Sequence, residues 1–386
     1  MADRFVIELS GRIDTSNAAD TEKRLEKLLA ENSGAEPVFD IAELQYISSA
    51  GLRVLMKIRK RWKNRLEIRN ASPEVYEIFE TTGFDELFDI SKKMREVSVE
   101  GCEIIGRGFY GTVYRIDPET IVKVYESPDS INIIRTEKEL ARTALIAGVP
   151  TAISYDIVKV GNSYGSVFEL LNAKTFNDLL IEDPANADEI IKQYAGFLRL
   201  VNEQTVPRGK LRSARELYMG YLEEASRYLD DDLTARLREM FLEIPEQLNV
   251  IHGDAQMKNI MVRDGEPMLI DMETLCAGHP IFDLQSVYVT YFAFGEDDPN
   301  NSMDFLGIPN ELSERVWEKF VGYYFKTDDE ERIASLRDKI AVVGAVRFLY
   351  LIGFASDTSG ALFEARIGHN RKRLRELADR TDSLLF

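Results

Sequence analysis

Apolar and polar residues alternate with period two over residues 5–10 (FVIELS), which predicts a half-buried strand. Leucines recur at helical spacing over 20–30, and strand patterning returns over 36–41, so the chain opens β-α-β. A helix follows over 50–60, a strand near 65–69, and a second helix opened by Ser72-Pro73-Glu74, where serine caps and proline fits the first turn. This α/β unit ends near residue 98. From residue 97 the pattern becomes short strands (VSVEGCEII, GTVYRI, TIVKVYE) divided by Gly-rich and Asp-Pro turns, which suits an antiparallel sheet. A helix is predicted over 136–147 and strands over 152–159 and 166–171; the remainder is mostly helical, interrupted at 250–271.

A length of 386 residues, 45% of them hydrophobic, predicts two domains with real cores. No run is long and apolar enough for a membrane span, and MADRFVIELSGRID lacks the basic and apolar regions of a signal peptide, so a cytoplasmic protein without membrane partners is expected. Cys102 and Cys276 lie far apart, and with three histidines they form no zinc pattern. The net charge of -18 argues against nucleic-acid partners. Residues 1–98 hold 16 basic and 18 acidic residues, leaving 32 and 48 beyond, so the acidity belongs to the second part. A pocket for a cationic substrate is one reading of it; a solvated surface is the preferred one.

Three clusters in the second part point to phosphoryl transfer. Gly106-Arg107-Gly108-Phe109-Tyr110-Gly111-Thr112-Val113 is a G-x-G-x-x-G-x-V loop between strands, where absent side chains let backbone N–H groups approach phosphates. Lys123 lies in the next strand, where a charge needs a partner; nucleotide phosphates are one and Glu137 on the following helix another, with Glu139 the second choice. The third is His252-Gly253-Asp254-Ala255-Gln256-Met257-Lys258-Asn259, followed by an Asp264-Gly265 hairpin ending at Asp271. Asp254 suits the carboxylate that accepts the proton of an attacking hydroxyl, and Asn259 and Asp271 suit oxygen ligands of Mg²⁺ on ATP.

On these residues 99–386 resemble the aminoglycoside phosphotransferase and choline kinase branch of the protein-kinase-like superfamily, which has H-G-D-x-x-x-x-N for H-R-D and Asp-hydrophobic-Glu for D-F-G, here Asp271-Met272-Glu273. Gly278-His279-Pro280-Ile281-Phe282-Asp283-Leu284 matches the branch's later Gly-x-Pro-x-x-Asp-Leu element. The resemblance implies a two-lobed α+β domain with an N-lobe at 99–171 and a C-lobe at 172–386. It also implies ATP and Mg²⁺ as cofactors, a small-molecule hydroxyl acceptor, and nucleotide contacts at Gly106, Gly108, Gly111, Val113 and Lys123. Glu169-Leu170-Leu171 would be the hinge meeting adenine, and Asp283 a clamp on the catalytic loop. His252 is expected to pack that loop and Lys258 to be solvated. The acceptor pocket of this branch is built by helices after residue 180; Tyr218, Tyr221, Glu223, Glu224, Asp297 and Asp298 are candidates to line it.

Residues 1–98 resemble a STAS domain, the α/β fold of bacterial anti-sigma-factor antagonists, through Asp40-Ile41-Ala42-Glu43-Leu44-Gln45-Tyr46-Ile47-Ser48-Ser49-Ala50-Gly51-Leu52-Arg53. Ser49 holds the place of that family's phosphoacceptor serine, at a helix N-terminus that favours phosphate. Ser48 replaces the usual acidic residue and Ala50 the usual second hydroxyl, and a plain helix cap is the competing role. The expected function is therefore an ATP-dependent small-molecule phosphotransferase carrying a regulatory or partner-binding STAS module. A protein kinase acting on Ser49 or a STAS partner, and a non-catalytic nucleotide-binding regulator, are the alternatives.

Overall fold

The alternation read at residues 5–10 produces β1 (Arg4–Ile13), which pairs in parallel with β2 (Glu36–Ile47). With β3 (Leu66–Ala71) and β4 (Phe88–Lys92) they form a parallel sheet in the order β1-β2-β3-β4. The connecting helices are α1 (Ala18–Glu31), α2 (Ser49–Arg59) and α3 (Pro73–Thr81). Leu25 and Leu29, Leu52, Leu55 and Ile58, and Val75 and Phe79 pack from these helices onto Ile7, Leu9, Phe39 and Ile68 of the sheet. β2 runs six residues past the predicted end at 41, because Ile41, Leu44 and Ile47 stay buried while its last turn of residues pairs with Ser10–Ile13. Ser72 caps α3 through Val75 N–H, as its sequence signature indicated.

This computed structural model describes residues 4–62, 65–107, 111–127, 130–170, 173–354 and 360–386. They divide into two units, Met1–Glu100 with Ile157–Tyr164, and Gly101–Asp156 with Gly165–Phe386. The segment at 157–164 groups with the first unit, where Val97 N–H bonds Lys159 O at 2.9 Å.

The second sheet contains β5 (Glu103–Arg107), β6 (Gly111–Asp117), β7 (Thr120–Tyr125), β8 (Asp156–Val160) and β9 (Ser163–Glu169), in the order β5-β6-β7-β9-β8. Helix α4 (Ile131–Ile146) begins five residues before its predicted start because Ile134 is drawn into the core. β8 starts four residues late, since Ala152 N–H bonds Leu269 O instead of a sheet neighbour.

Beyond β9 come β10 (Lys174–Thr175), α5 (Phe176–Glu182), α6 (Ala187–Glu203), α7 (Ala214–Ala225) and α8 (Asp231–Glu243). Four short strands interrupt the helices: β11 (Val250–Ile251), β12 (Ile260–Arg263), β13 (Glu266–Leu269) and β14 (Cys276–Ala277). Asp264 and Gly265, both at positive φ, make the tight turn joining β12 to β13. The chain closes with α9 (Ile281–Tyr288), α10 (Phe294–Glu296), α11 (Asn301–Leu306), α12 (Asn310–Phe325), α13 (Glu330–Ile352) and α14 (Ala361–Arg380) around one apolar core. Among the described residues no helix is long and apolar enough to cross a membrane.

Candidate active site

Strand β7 is half-buried, and Lys123 is the charge it carries inward. Its Nζ lies 3.1 Å from Glu137 Oε1 on α4 and 3.3 Å from Asp271 Oδ1, 148 residues away in sequence. Burial alone would lower the Lys123 pKa; the Asp271 and Glu137 carboxylates more than offset it and hold the amine charged, above its ordinary value of 10.5. Tyr125 donates its hydroxyl to Glu137, which fixes that carboxylate from the other side. Glu139 is exposed and faces Arg142, so the structure brings Glu137 and not Glu139 to the lysine.

The loop after β11 is held by its backbone. Asp283, fully buried on α9, accepts from His252 N–H at 3.2 Å, Gly253 N–H at 2.9 Å and Asn202 Nδ2 at 2.7 Å. Burial pushes the Asp283 pKa up, and the neighbouring His252 and these donors pull against it. Gly253 has φ +83°, and a Cβ there would come within 3.0 Å of Thr274 O, so glycine is required by both conformation and space. His252 is buried; its Nε2 donates to Ile270 O at 3.0 Å and its Nδ1 accepts Asp254 N–H at 3.3 Å. Tyr194 donates to Ala255 O at 2.6 Å, and Tyr291 accepts Met257 N–H at 2.9 Å. Nothing in the spacing of Tyr194 and Tyr291 marks them as loop supports, because they come from helices far away in sequence.

Asp254 is half-buried, and its Oδ2 accepts from Asn259 Nδ2 at 3.0 Å and Gln256 Nε2 at 3.1 Å. One carboxylate oxygen is thus fixed, and the other accepts no hydrogen bond among the described residues. Asn259 Nδ2 also reaches Asp254 O at 2.8 Å, so the amide nitrogen is spent and the amide oxygen has no donor among the described residues. Asp271, exposed at the end of the β12–β13 hairpin, sits in the left-handed region at φ 64° and ψ 68°, a conformation costing on the order of 1 kcal/mol outside glycine. Glu273 beside it has its pKa raised by burial and by the Asp271 and Glu137 charges. A site with surplus carboxylates and a free amide oxygen fits a divalent cation with hard oxygen preference.

The glycines of the loop differ in their reasons. A Cβ on Gly111 would lie 2.1 Å from Val124 O, so this glycine permits the close approach of β6 to β7. Gly106 is bounded only by Val113, its partner in the β5–β6 register, at 3.8 Å, so the sheet does not require it to be glycine. Gly108 and Leu171 lie outside the described residues. Glu169 ends β9, exposed and 3.4 Å from Arg263 Nη1, and Leu170 N–H is bonded to Glu119 O at 2.7 Å. Lys258 turns to α11, where Nζ donates to Phe305 O at 2.9 Å and stands 4.4 Å from the Phe305 ring centre.

Of the six residues expected at an acceptor pocket, Tyr218 and Tyr221 touch, with ring centres 5.0 Å apart. Tyr218 is buried core, its hydroxyl on Phe282 O at 2.9 Å. Glu223 pairs with Arg238 and Glu224 with Arg227 on the surface, while Asp297 faces His369 and Asp298 faces Arg366. Tyr221 stacks on Tyr350 with centres 4.2 Å apart.

In the first unit Ser48 is the N-cap of α2, its Oγ accepting Ala50 N–H at 3.2 Å and Gly51 N–H at 3.5 Å, and its own N–H bonds Ile13 O at 2.8 Å. Ser49, the next residue, is exposed on the first turn. Asp40 is tied to Asn70 and to Arg69 Nε at 3.0 Å; these donors hold its carboxyl below the usual range against the opposing effect of burial.

Residues 101–307, more than half of the chain, match the family model described as the phosphotransferase enzyme family, and residues 2–97 match that of the STAS domain. BtrV of Bordetella bronchiseptica, named as a candidate anti-sigma factor antagonist, is 33% identical over 86 residues, 22% of this chain and 73% of BtrV. Among solved structures, aminoglycoside phosphotransferase APH(2'')-Ib with ADP is 14% identical, with 78% of this chain and 98% of that one covered at a TM-score of 0.47. Amicoumacin kinase hAmiN, with AMP-PNP, Ca²⁺ and Ami, is 14% identical, with 85% and 98% covered at 0.48. A choline/ethanolamine kinase family protein of Mesorhizobium loti is 16% identical, with 72% and 87% covered at 0.45. On the family models and the anti-sigma relative, the chain belongs to the phosphotransferase enzyme family and carries an N-terminal STAS domain.

Proposed function

We propose that residues 99–386 transfer the γ-phosphoryl group of ATP to a hydroxyl of a small-molecule acceptor in the cytoplasm, and that the STAS domain at 1–98 meets a protein partner. The observation that carries this reading is Lys123 held between Glu137 and Asp271 at 3.1 and 3.3 Å. A fully ionised amine fixed at that point is positioned for nucleotide phosphates. Asn259 and Asp271 would hold Mg²⁺, which when bound neutralises charge on the phosphate oxygens. Asp254 accepts the acceptor's hydroxyl proton on the oxygen that Asn259 and Gln256 leave free. The loop amides held by Asp283 keep Asp254 in place before any substrate arrives.

A second reading has one observation in its favour, the exposed Ser49 beside the Ser48 cap, which suits a phosphoacceptor or a docking point. Two measurements test the pair. MgATP should raise the Tm of the full chain, and no shift at millimolar nucleotide with a folded protein would remove the phosphotransferase reading. Incubation with MgATP should leave Ser49 unmodified by intact mass. A stoichiometric phosphate abolished by both Ser49→Ala and Asp254→Asn would instead establish self-modification.

A further inference from the structure

Arg347 lies on α13, a helix that packs against α7. Its guanidinium stands 4.3 Å from the ring centre of Tyr221 on α7 and 5.1 Å from that of Tyr350. The side chain is half-buried, yet among the described residues it makes no hydrogen bond and meets no carboxylate. Stacking occupies the flat face of a guanidinium and leaves its edge donors open. None of the Arg347 nitrogens is among the fully enclosed polar atoms, so those donors remain reachable. Acid is not scarce, with 66 acidic against 48 basic residues, and the nearby C-terminal arginines Arg366 and Arg373 have Asp298 and Glu296.

Arg212 is a second cation in the same neighbourhood. It precedes α7, its Nη2 donates to Glu273 O at 3.3 Å, and its carbonyl accepts Ala277 N–H at 2.9 Å. Cys276 pairs with Ile251, the residue before the catalytic loop. Burial raises the pKa of Tyr221 and pushes Cys276 up to about 12, and both Arg347 and Arg212 pull these two groups back. Arg212 is thus tied to Glu273, two residues from Asp271, and Arg347 stands against Tyr221 on α7, the helix that Arg212 leads into.

Resting on the phosphotransferase reading above, we propose that Arg347, assisted by Arg212, binds an oxyanion of the phosphate acceptor, which is then a small hydroxylated carboxylate or phosphate ester. A guanidinium standing beside a pair of packed tyrosine rings, with no hydrogen bond among the described residues, keeps the fixed fork that such oxyanions take in bidentate fashion. Glu223, Glu224, Asp297 and Asp298, the acids expected to line the acceptor pocket, already face basic groups.

The test uses the full chain saturated with ADP, with malonate and inorganic phosphate as separate probes in titration calorimetry. At least one probe should bind, and Arg347→Gln should weaken it about tenfold or more, as loss of a charge-assisted contact does, while Arg347→Lys weakens it less. Binding of malonate alone assigns a carboxylate, and binding of phosphate alone a phosphate ester. A second measurement needs no variant: the binding probe, at twice its Kd, should slow phenylglyoxal modification of Arg347 about threefold, read by peptide mass. No binding of either probe at tens of millimolar, or binding unchanged in Arg347→Gln with an unchanged modification rate, overturns the proposal and leaves Arg347 a packing residue. If MgATP fails to stabilise the wild-type chain, the phosphotransferase reading fails first and this inference with it; if MgATP stabilises it and the anion results are negative, only this inference fails.

Discussion

The catalytic loop and the start of α2 solve one problem in two ways. Each presents two backbone N–H groups to an acceptor side chain: His252 and Gly253 to Asp283, Ala50 and Gly51 to Ser48. Asp283 is fully buried and also bonded to Asn202, whereas Ser48 is half-buried at the surface beside an exposed Ser49. A buried ionic acceptor makes a loop rigid at a high cost of disruption, which suits a position that must hold Asp254 in one geometry. A surface hydroxyl cap contributes little and is easily remodelled, which suits the helix end proposed as a docking point.

The largest effect that would break this contrast is on turnover. Asp254→Asn should lower phosphoryl transfer by roughly 10²- to 10⁴-fold while MgATP still raises the Tm, because the base acts on the acceptor and not on the nucleotide. Normal turnover in that variant would remove Asp254 as the base. Asp283→Ala should destabilise the chain by about 3 kcal/mol or more, since buried N–H groups lose their acceptor; thermal or urea unfolding reads this directly. An unchanged midpoint would mean that the loop is held by Tyr194 and Tyr291 instead.

Acid should separate the two regions further. All three histidines, His252, His279 and His369, lie after residue 98. Burial lowers the His279 pKa from 6.5 to about 4, and its Nδ1 accepts Ile281 N–H at 3.2 Å, so the fold favours the neutral ring. That contribution is complete above pH 6.5 and is lost as pH falls toward about 4. His279→Gln should therefore flatten the fall in Tm across that interval, and identical pH profiles for variant and wild type would exclude His279 as the cause. The smallest effect belongs to the cap: Ser48→Ala should cost about 1 kcal/mol, and Ser49→Ala less than about 0.5 kcal/mol, in urea unfolding of the full chain. A larger loss for Ser49→Ala than for Ser48→Ala would reverse their assigned roles.

Local order determined much of this protein. Alternation and helical spacing announce the parallel sheet and its helices, and Ser72-Pro73 announces α3, because caps and periodicity are properties of neighbouring residues. The residue types proposed for the reaction were also visible in the sequence, since phosphoryl transfer needs a lysine, carboxylates and a glycine loop at few allowed spacings. Only the tertiary structure decided which partners they take. Lys258 turns to Phe305, and β8 begins late because Leu269 claims Ala152. The supports Tyr194, Tyr291 and Asn202, and the contact of Arg347 with Tyr221, depend on helices packed across more than thirty residues of sequence. The chain order of a buried contact is set by which apolar faces meet, and no local pattern encodes that choice.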